Sequence, residues 1–348
     1  MSSNQAESIH EGFIETGVVE KAINLLKIVF VKAGVLPWFL VIAVIFLTST
    51  TDTFLTESNL STVARQSTYL VLAAMAQMIV LLTRGLDLSI GTMFAMSSVT
   101  TSMTMVALAS SGMSPALVIA MGCLAGMATT MAIGAFNGIG IAVFDVPPFV
   151  MTLAVSSIVA GLAFYVTGGT PVYGMPGGFS DFFGYGKVFG ISVPVCITVL
   201  IIIGMYFLIN WTRLGRYFYA IGGNPKAAEL SGINTKRVIF FTYVIAGLIT
   251  GIATLLLTAR LESGESNIGV EYPLMSIAAC AIGGVSIFGG IGKLSGVVLG
   301  AIFIILVQNG MNLLQLNSYL QMVVIGILLI LAVVADNYRL KLLLTMNK

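Results

Sequence analysis

The chain has 348 residues, of which 57% are hydrophobic and 9% charged, with a net charge of +2 and a mean hydropathy of +1.02. Roughly a quarter of the residues of soluble chains are charged, so this composition excludes a soluble protein and predicts a polytopic membrane protein. The only histidine, His10, precedes the apolar part, and Cys123, Cys196 and Cys280 sit in apolar stretches with neither zinc-site nor disulfide spacing. No catalytic residue, no metal, no cofactor on this chain and no nucleic-acid partner are therefore expected.

The first 33 residues form a polar arm containing Glu7, Glu11, Glu15 and Glu20, which argues against a cleavable signal. Within it, Val18 to Val31 interleaves Lys21 and Lys27 with Ile, Leu and Val, the pattern of a helix lying on a membrane surface; the other reading is a disordered lead into the first span. Charge-poor windows long enough to cross the hydrocarbon then follow at Leu36–Thr51, Gln66–Thr83, Leu88–Ala109, Pro115–Val143 and Phe149–Thr167. Five more lie at Ile191–Trp211, Val238–Ala259, Leu274–Ile287, Leu294–Gly310 and Tyr319–Ala335. The reading is an all-α polytopic bundle of about ten spans over residues 34–338, closed by a tail at 339–348. With an even number of spans both termini share a side. Thirteen of the 16 basic residues then fall on that side, against Arg65, Lys187 and Arg260 on the other, which makes it the cytoplasmic one.

Two glycine-rich interruptions stand out. Thr83-Arg84-Gly85-Leu86-Asp87-Leu88-Ser89-Ile90-Gly91 places opposite charges three residues apart between apolar runs. Charge at membrane depth is costly, so Arg84 and Asp87 support each other or the ends of broken helices, unless the stretch is a solvated loop. Ala281 to Lys293, with Gly283, Gly284, Gly289 and Gly290, is the counterpart in the second half. Matching interruptions in two halves are what an internal repeat of a transporter leaves in sequence, with the pathway between the halves. Among polar residues inside the spans, Asn137 and Asn309 are singled out for the solute path, although an interhelical hydrogen bond explains either of them as well.

The stretch Asn210 to Phe241 is the long basic break of the second half, with Arg213, Arg216, Lys226, Lys236 and Arg237 opposed only by Glu229. Asn224 is a good N-cap, Pro225 fits the first helical position, and Gly232 is a helix stop. The segment Asn224, Pro225, Lys226, Ala227, Ala228, Glu229 to Gly232 is therefore a short cytoplasmic helix that a soluble partner can grip, or else a connecting turn.

Lys226 to Gly232 resembles the Ala-Ala-three-residues-Gly core of the loop by which permease subunits of ABC importers dock onto their ATPase, with Lys226 in place of its usual Glu. Tyr219 to Pro225, Ser231 to Asn234 and the ends of the last span look like the ribose and simple-sugar permeases of that superfamily. Gly85-Leu86-Asp87-Leu88-Ser89-Ile90-Gly91 is similar to their Gly-Ile-Asp-Leu-Ser-Val-Gly signature, and Arg84 stands where the family often has Gly. The resemblance runs from about Gln66 to Asn337 and implies a permease subunit in a bacterial inner membrane. It further implies a cytoplasmic ABC ATPase that holds ATP and Mg, an extracytoplasmic sugar-binding protein and a second permease subunit. Small residues at Ala227 and Ala228 would then mark the close approach of the ATPase. The rival class is a self-sufficient ion-coupled transporter, disfavoured because only Asp87 and Asp145 approach membrane depth. An intramembrane enzyme lacks a catalytic constellation.

Overall fold

The computed structural model describes residues 36–317, 319–328, 330, 331 and 334. The expected amphipathic stretch Val18 to Val31, the C-terminal tail and the end of the last window lie outside them. Each of the ten apolar windows carries a helix. Seven are long and apolar enough to cross a membrane: α2 (Glu57–Leu82), α3 (Ile90–Ala109), α4 (Pro115–Ala142), α5 (Pro148–Thr167), α6 (Val193–Trp211), α9 (Thr235–Leu261) and α11 (Leu294–Leu313). The shorter apolar helices are α1 (Leu36–Thr50), α10 (Tyr272–Ile282) and α12 (Tyr319–Leu328). Between α6 and α9 lie α7 (Arg213–Gly223) and α8 (Pro225–Leu230).

The core is α2. From Leu70 to Leu82 every side chain is buried, because α6, α9, α10 and α11 all pack on it. By contrast α5 and α6 present Phe149, Val150, Leu153, Ile158, Leu200 and Ile203 outward, an apolar surface that only lipid or another membrane chain can cover. Helices α4 and α9 approach backbone to backbone, since a side chain at Gly134 would strike the Tyr243 carbonyl and one at Gly247 the Thr130 carbonyl. Small residues permit such contact, and in lipid it is dispersion and interhelical bonding that hold helices together. Leu36–Thr50 is added at the edge through Phe39 stacked on Phe303 at 5.9 Å.

The long connection after α5 folds into a helical turn, Gly177–Phe179, a π turn, Ser180–Gly184, and a two-stranded hairpin of β1 (Lys187–Val188) and β2 (Ile191–Ser192). It covers one end of the bundle, where Tyr185 donates to the Arg260 carbonyl at 2.9 Å. Helix α8 sits at the opposite end. Cys123, Cys196 and Cys280 are free thiols.

A broken span is visible in the second half. Helix α10 has 11 residues, about 16 Å of rise, which is half a membrane crossing. The other half is the non-helical chain from Glu262 to Glu271. The Glu265 amide donates to Ser98 Oγ at 3.1 Å, and a side chain at Gly91 would meet the Gly269 carbonyl at 2.5 Å, so this segment descends antiparallel along α3 to its first turn. Tyr272 then stacks on Phe94 with ring centroids 4.5 Å apart. Irregular backbone at membrane depth survives only where protein or a watery cavity surrounds it, and α3 provides part of that shelter.

Candidate functional site

The polar break that the sequence presents as one loop is in fact two helices, α7 and α8. Helix α7 was hidden by its charges, yet its signals are local: Thr212 Oγ1 accepts from the Gly215 amide at 3.2 Å as N-cap, and Leu214, Phe218 and Ile221 fall on one face. Tyr219 extends that face, its hydroxyl donating to the Gly292 carbonyl at 2.9 Å. Burial raises the phenol above its ordinary pKa, so it remains a donor across the physiological range.

Helix α8 forms as its residues predict. Asn224 Oδ1 accepts from the Ala227 amide at 3.1 Å, Pro225 opens the helix, and Gly232, at φ 83°, donates to the Glu229 carbonyl at 2.9 Å. The Lys226–Glu229 pair at 3.4 Å is exposed on both sides and contributes little. The two alanines differ: Ala227 is exposed, whereas Ala228 is buried at 4%. Ala228 therefore seats α8 on the bundle and is not on the outward face, a correction to the reading that treats both as docking positions. Leu230, one turn on, is 80% exposed.

Arg84 and Asp87 do not pair; the ion pairs among the described residues are Lys226–Glu229 and Lys236–Asp145. Arg84 turns to the carboxyl end of α7 instead, its Nε donating to the Gly222 carbonyl at 2.7 Å and its Nη2 to the Gly223 carbonyl at 2.8 Å. These charge-assisted bonds satisfy carbonyls a helix end leaves open and set a cation against the negative pole of the helix. They also offset the cost of a left-handed backbone, φ 63°, at a residue with a side chain. Of the two expected roles, supporting a helix end is the one Arg84 fills.

Asp87 is wholly buried and serves a different helix. Its Oδ1 accepts from the Ser89 amide at 2.8 Å and from Ser89 Oγ at 2.6 Å, at the N-terminus of α3, where a carboxylate meets the positive pole. Asn137 Nδ2 donates to Ser89 Oγ at 2.8 Å, and Thr152 Oγ1 takes the Leu88 amide at 3.2 Å while donating to the Leu86 carbonyl at 3.1 Å. Loop Thr83–Ser89 is thus tied to α4 and α5 by buried polar bonds. Asn137 lies in this network. Asn309 lies elsewhere, exchanging two amide bonds with Asn59, at 2.8 and 3.0 Å, where α11 meets the start of α2.

The two glycine-rich interruptions meet. The Gly290 amide donates to the Leu82 carbonyl at 3.1 Å, and a side chain at Gly289 would meet the Arg84 amide nitrogen at 3.1 Å and the Gly222 Cα at 3.2 Å. At Gly222 a Cβ would collide with the Leu82 carbonyl oxygen and the Gly290 amide. The end of α2, the end of α7 and the turn before α11 therefore touch through bare backbone. Gly283 and Gly284 stand at the end of α10, where Gly283 packs on Gly296 of α11; Gly91 lies against the broken span, while Gly85 lies against Tyr243. Gly222, Gly223 and Tyr243 were missed as site residues, because their partners are remote in sequence.

Apolar spans around a central helix, a broken span and a capped helix fixed to one end define a multi-pass membrane transport component. The chain belongs to the family described as branched-chain amino acid transport system / permease component, whose model matches residues 59–333. It is 36% identical over 305 residues to the D-allose transport system permease protein AlsC of Escherichia coli (strain K12), covering 88% of this chain and 91% of that one. It is 38% identical over 298 residues to the ribose import permease protein RbsC of Bacillus subtilis (strain 168), covering 85% and 90%. With the L-arabinose transport system permease protein AraH of Escherichia coli (strain K12) it shares 40% identity over 209 residues, 59% of this chain and 62% of that one. No solved structure gives a significant match.

Proposed function

We propose that this chain is the membrane-spanning permease subunit of a binding-protein-dependent ABC importer that carries a simple sugar, a ribose-like pentose, a hexose or a related polyol, into the cytoplasm. The observation that carries this reading is the seat of α8: a capped helix at one end of the bundle, preceded directly by the Gly222–Gly223 contact with the ends of α2 and the Gly290 turn. A push on α8 reaches the core helix through backbone contacts, which do not yield by side-chain rotation. A separate ATPase, holding ATP and Mg, grips the exposed face with Ala227 and Leu230. Family membership in multi-component transport systems, and relatives named for allose, ribose and arabinose, support this reading over a self-sufficient ion-coupled transporter. An extracytoplasmic binding protein delivers the solute to the Gly177–Ser192 end, and a second permease subunit covers the outward apolar faces.

Ala227→Trp is expected to leave the protein at normal membrane levels while uptake falls and the co-expressed ATPase no longer co-purifies. Full uptake and retained ATPase would remove α8 from the docking role. Ala228→Trp, acting on a buried position, should instead lower the amount of folded protein.

The distribution of basic residues supports an orientation with α8 and both termini in the cytoplasm, and the bacterial relatives support an inner-membrane location. In intact cells an impermeant thiol reagent should modify Asp181→Cys and spare Ser231→Cys; the opposite pattern would invert the map.

A further inference from the structure

A charged cluster lies beside the broken span. Tyr272 stacks on Phe94 of α3, and from Phe94 to Ala109 that helix rises on the order of 20 Å toward the end covered by the hairpin, so Tyr272 sits deep within the ~30 Å of hydrocarbon. Glu271, next to it, is exposed on this chain, as is Asn267. An ionised side chain cannot face acyl chains at that depth without a heavy cost, so this surface does not face lipid.

Polar and charged residues stand behind it. Arg65 and Tyr69 stand one turn apart on α2, the Arg260 carbonyl accepts from Tyr185, and Tyr272 packs against the core that holds Tyr69. Tyr69 is buried at 2%, and Arg65 Nε finds no hydrogen-bond partner among the described residues. Buried donors are seldom left open unless water or a ligand completes them. The guanidinium of Arg65 is held over the Tyr185 ring at 5.7 Å, at the covered end of the bundle.

From this arrangement we infer that Arg65, Tyr69, Arg260, Asn267, Glu271 and Tyr272 line the solute path, and that they bind a polyhydroxylated solute through its hydroxyl groups. Arginine forks donate to sugar oxygens, the carboxylate and the Asn267 side-chain carbonyl accept from sugar hydroxyls, and the Tyr69 hydroxyl does either. The unwound chain from Glu262 to Glu271 brings Asn267, Glu271 and Tyr272 into the membrane beneath Arg65 and Arg260 at the covered end, in the way that discontinuous helices form transporter sites. The path stands on the geometry alone; the solute class rests on the sugar-import reading above.

Two measurements on the full complex test this separately. With Cys123, Cys196 and Cys280 replaced by Ala, Asn267→Cys and Glu271→Cys are treated with an impermeant methanethiosulfonate, with and without vanadate trapping of the ATPase. In at least one state they should react about tenfold faster than Leu153→Cys and Ile158→Cys, because a thiol in hydrocarbon does not ionise. Rates no faster than those controls on the outward apolar face would overturn the path. Uptake of radiolabelled D-ribose, D-allose and L-arabinose gives the second readout. Tyr69→Phe and Glu271→Gln should raise KM about tenfold, the loss expected when a polar site meets a solute one hydrogen bond short, with membrane level and ATPase co-purification unchanged. Unchanged KM and maximal rate in both variants would overturn the binding role. If the unmodified complex carries none of the three sugars, the solute class falls while the labelling rates still decide the path.

Discussion

Gly222→Ala is expected to abolish most of the folded protein, while Gly223→Ala, one residue further on, leaves it intact. A Cβ at 222 points into the Leu82 carbonyl oxygen and the Gly290 amide, which belong to the ends of two other elements and already bond to each other at 3.1 Å. Neither atom can rotate away, so the whole α7 end must lift. Doing so pulls the Gly222 carbonyl off Arg84. Overpacking costs about 1–3 kcal/mol where side chains can yield; against backbone the cost should reach about 3 kcal/mol or more. At Gly223 nothing lies within 4 Å of the added carbon. Thermal unfolding of the two purified variants in the same detergent checks this. Equal melting temperatures would mean that the three elements are not in backbone contact.

The second large effect is expected at Asp87. Replacing it by Ala removes the acceptor for both the Ser89 amide and Ser89 Oγ inside a fully buried loop, and takes the carboxylate from the start of α3. Each orphaned buried donor costs about 1–3 kcal/mol, so with two of them Asp87→Ala should destabilise by roughly 2–6 kcal/mol. Arg84→Ala should cost less, about 1–2 kcal/mol, because its guanidinium is exposed and water replaces part of what the carbonyls lose. Since the two side chains serve different helices, the double variant should be at least as damaging as Asp87→Ala alone. Were the double variant the milder one, an ion pair between Arg84 and Asp87 would have to exist, as buried partners left alone are worse than partners removed together. Urea or thermal unfolding of the three variants gives the ordering.

Much of this molecule was decided by the sequence itself. The ten charge-poor windows became helices because run length and hydrophobicity act locally, and a bilayer leaves an apolar run of that length little choice but a helix. The α8 helix was legible for the same reason: Asn224, Pro225 and Gly232 cap, start and stop it with bonds that span no more than a few residues. Free thiols at Cys123, Cys196 and Cys280 followed from their placement within apolar stretches.

Tertiary structure alone settled the partners. Arg84 reads as the mate of Asp87 because three residues separate them, yet its acceptors lie 138 and 139 positions away, at a helix end that exists only after α7 has folded. The left-handed backbone at Arg84 turns its side chain outward while Asp87 stays inside, and no spacing rule reports that difference. Ala227 and Ala228 are equivalent as letters; the way α8 seats on the bundle buries one and exposes the other. The broken span was read as an apolar window, because Glu262 to Glu271 resembles an ordinary polar loop until α3 is laid beside it. Length and hydrophobicity fix which segments enter the membrane, since each residue meets the bilayer on its own account. Which carbonyl a guanidinium finds, and which glycine another backbone crosses, depends on atoms that only the packed bundle brings together.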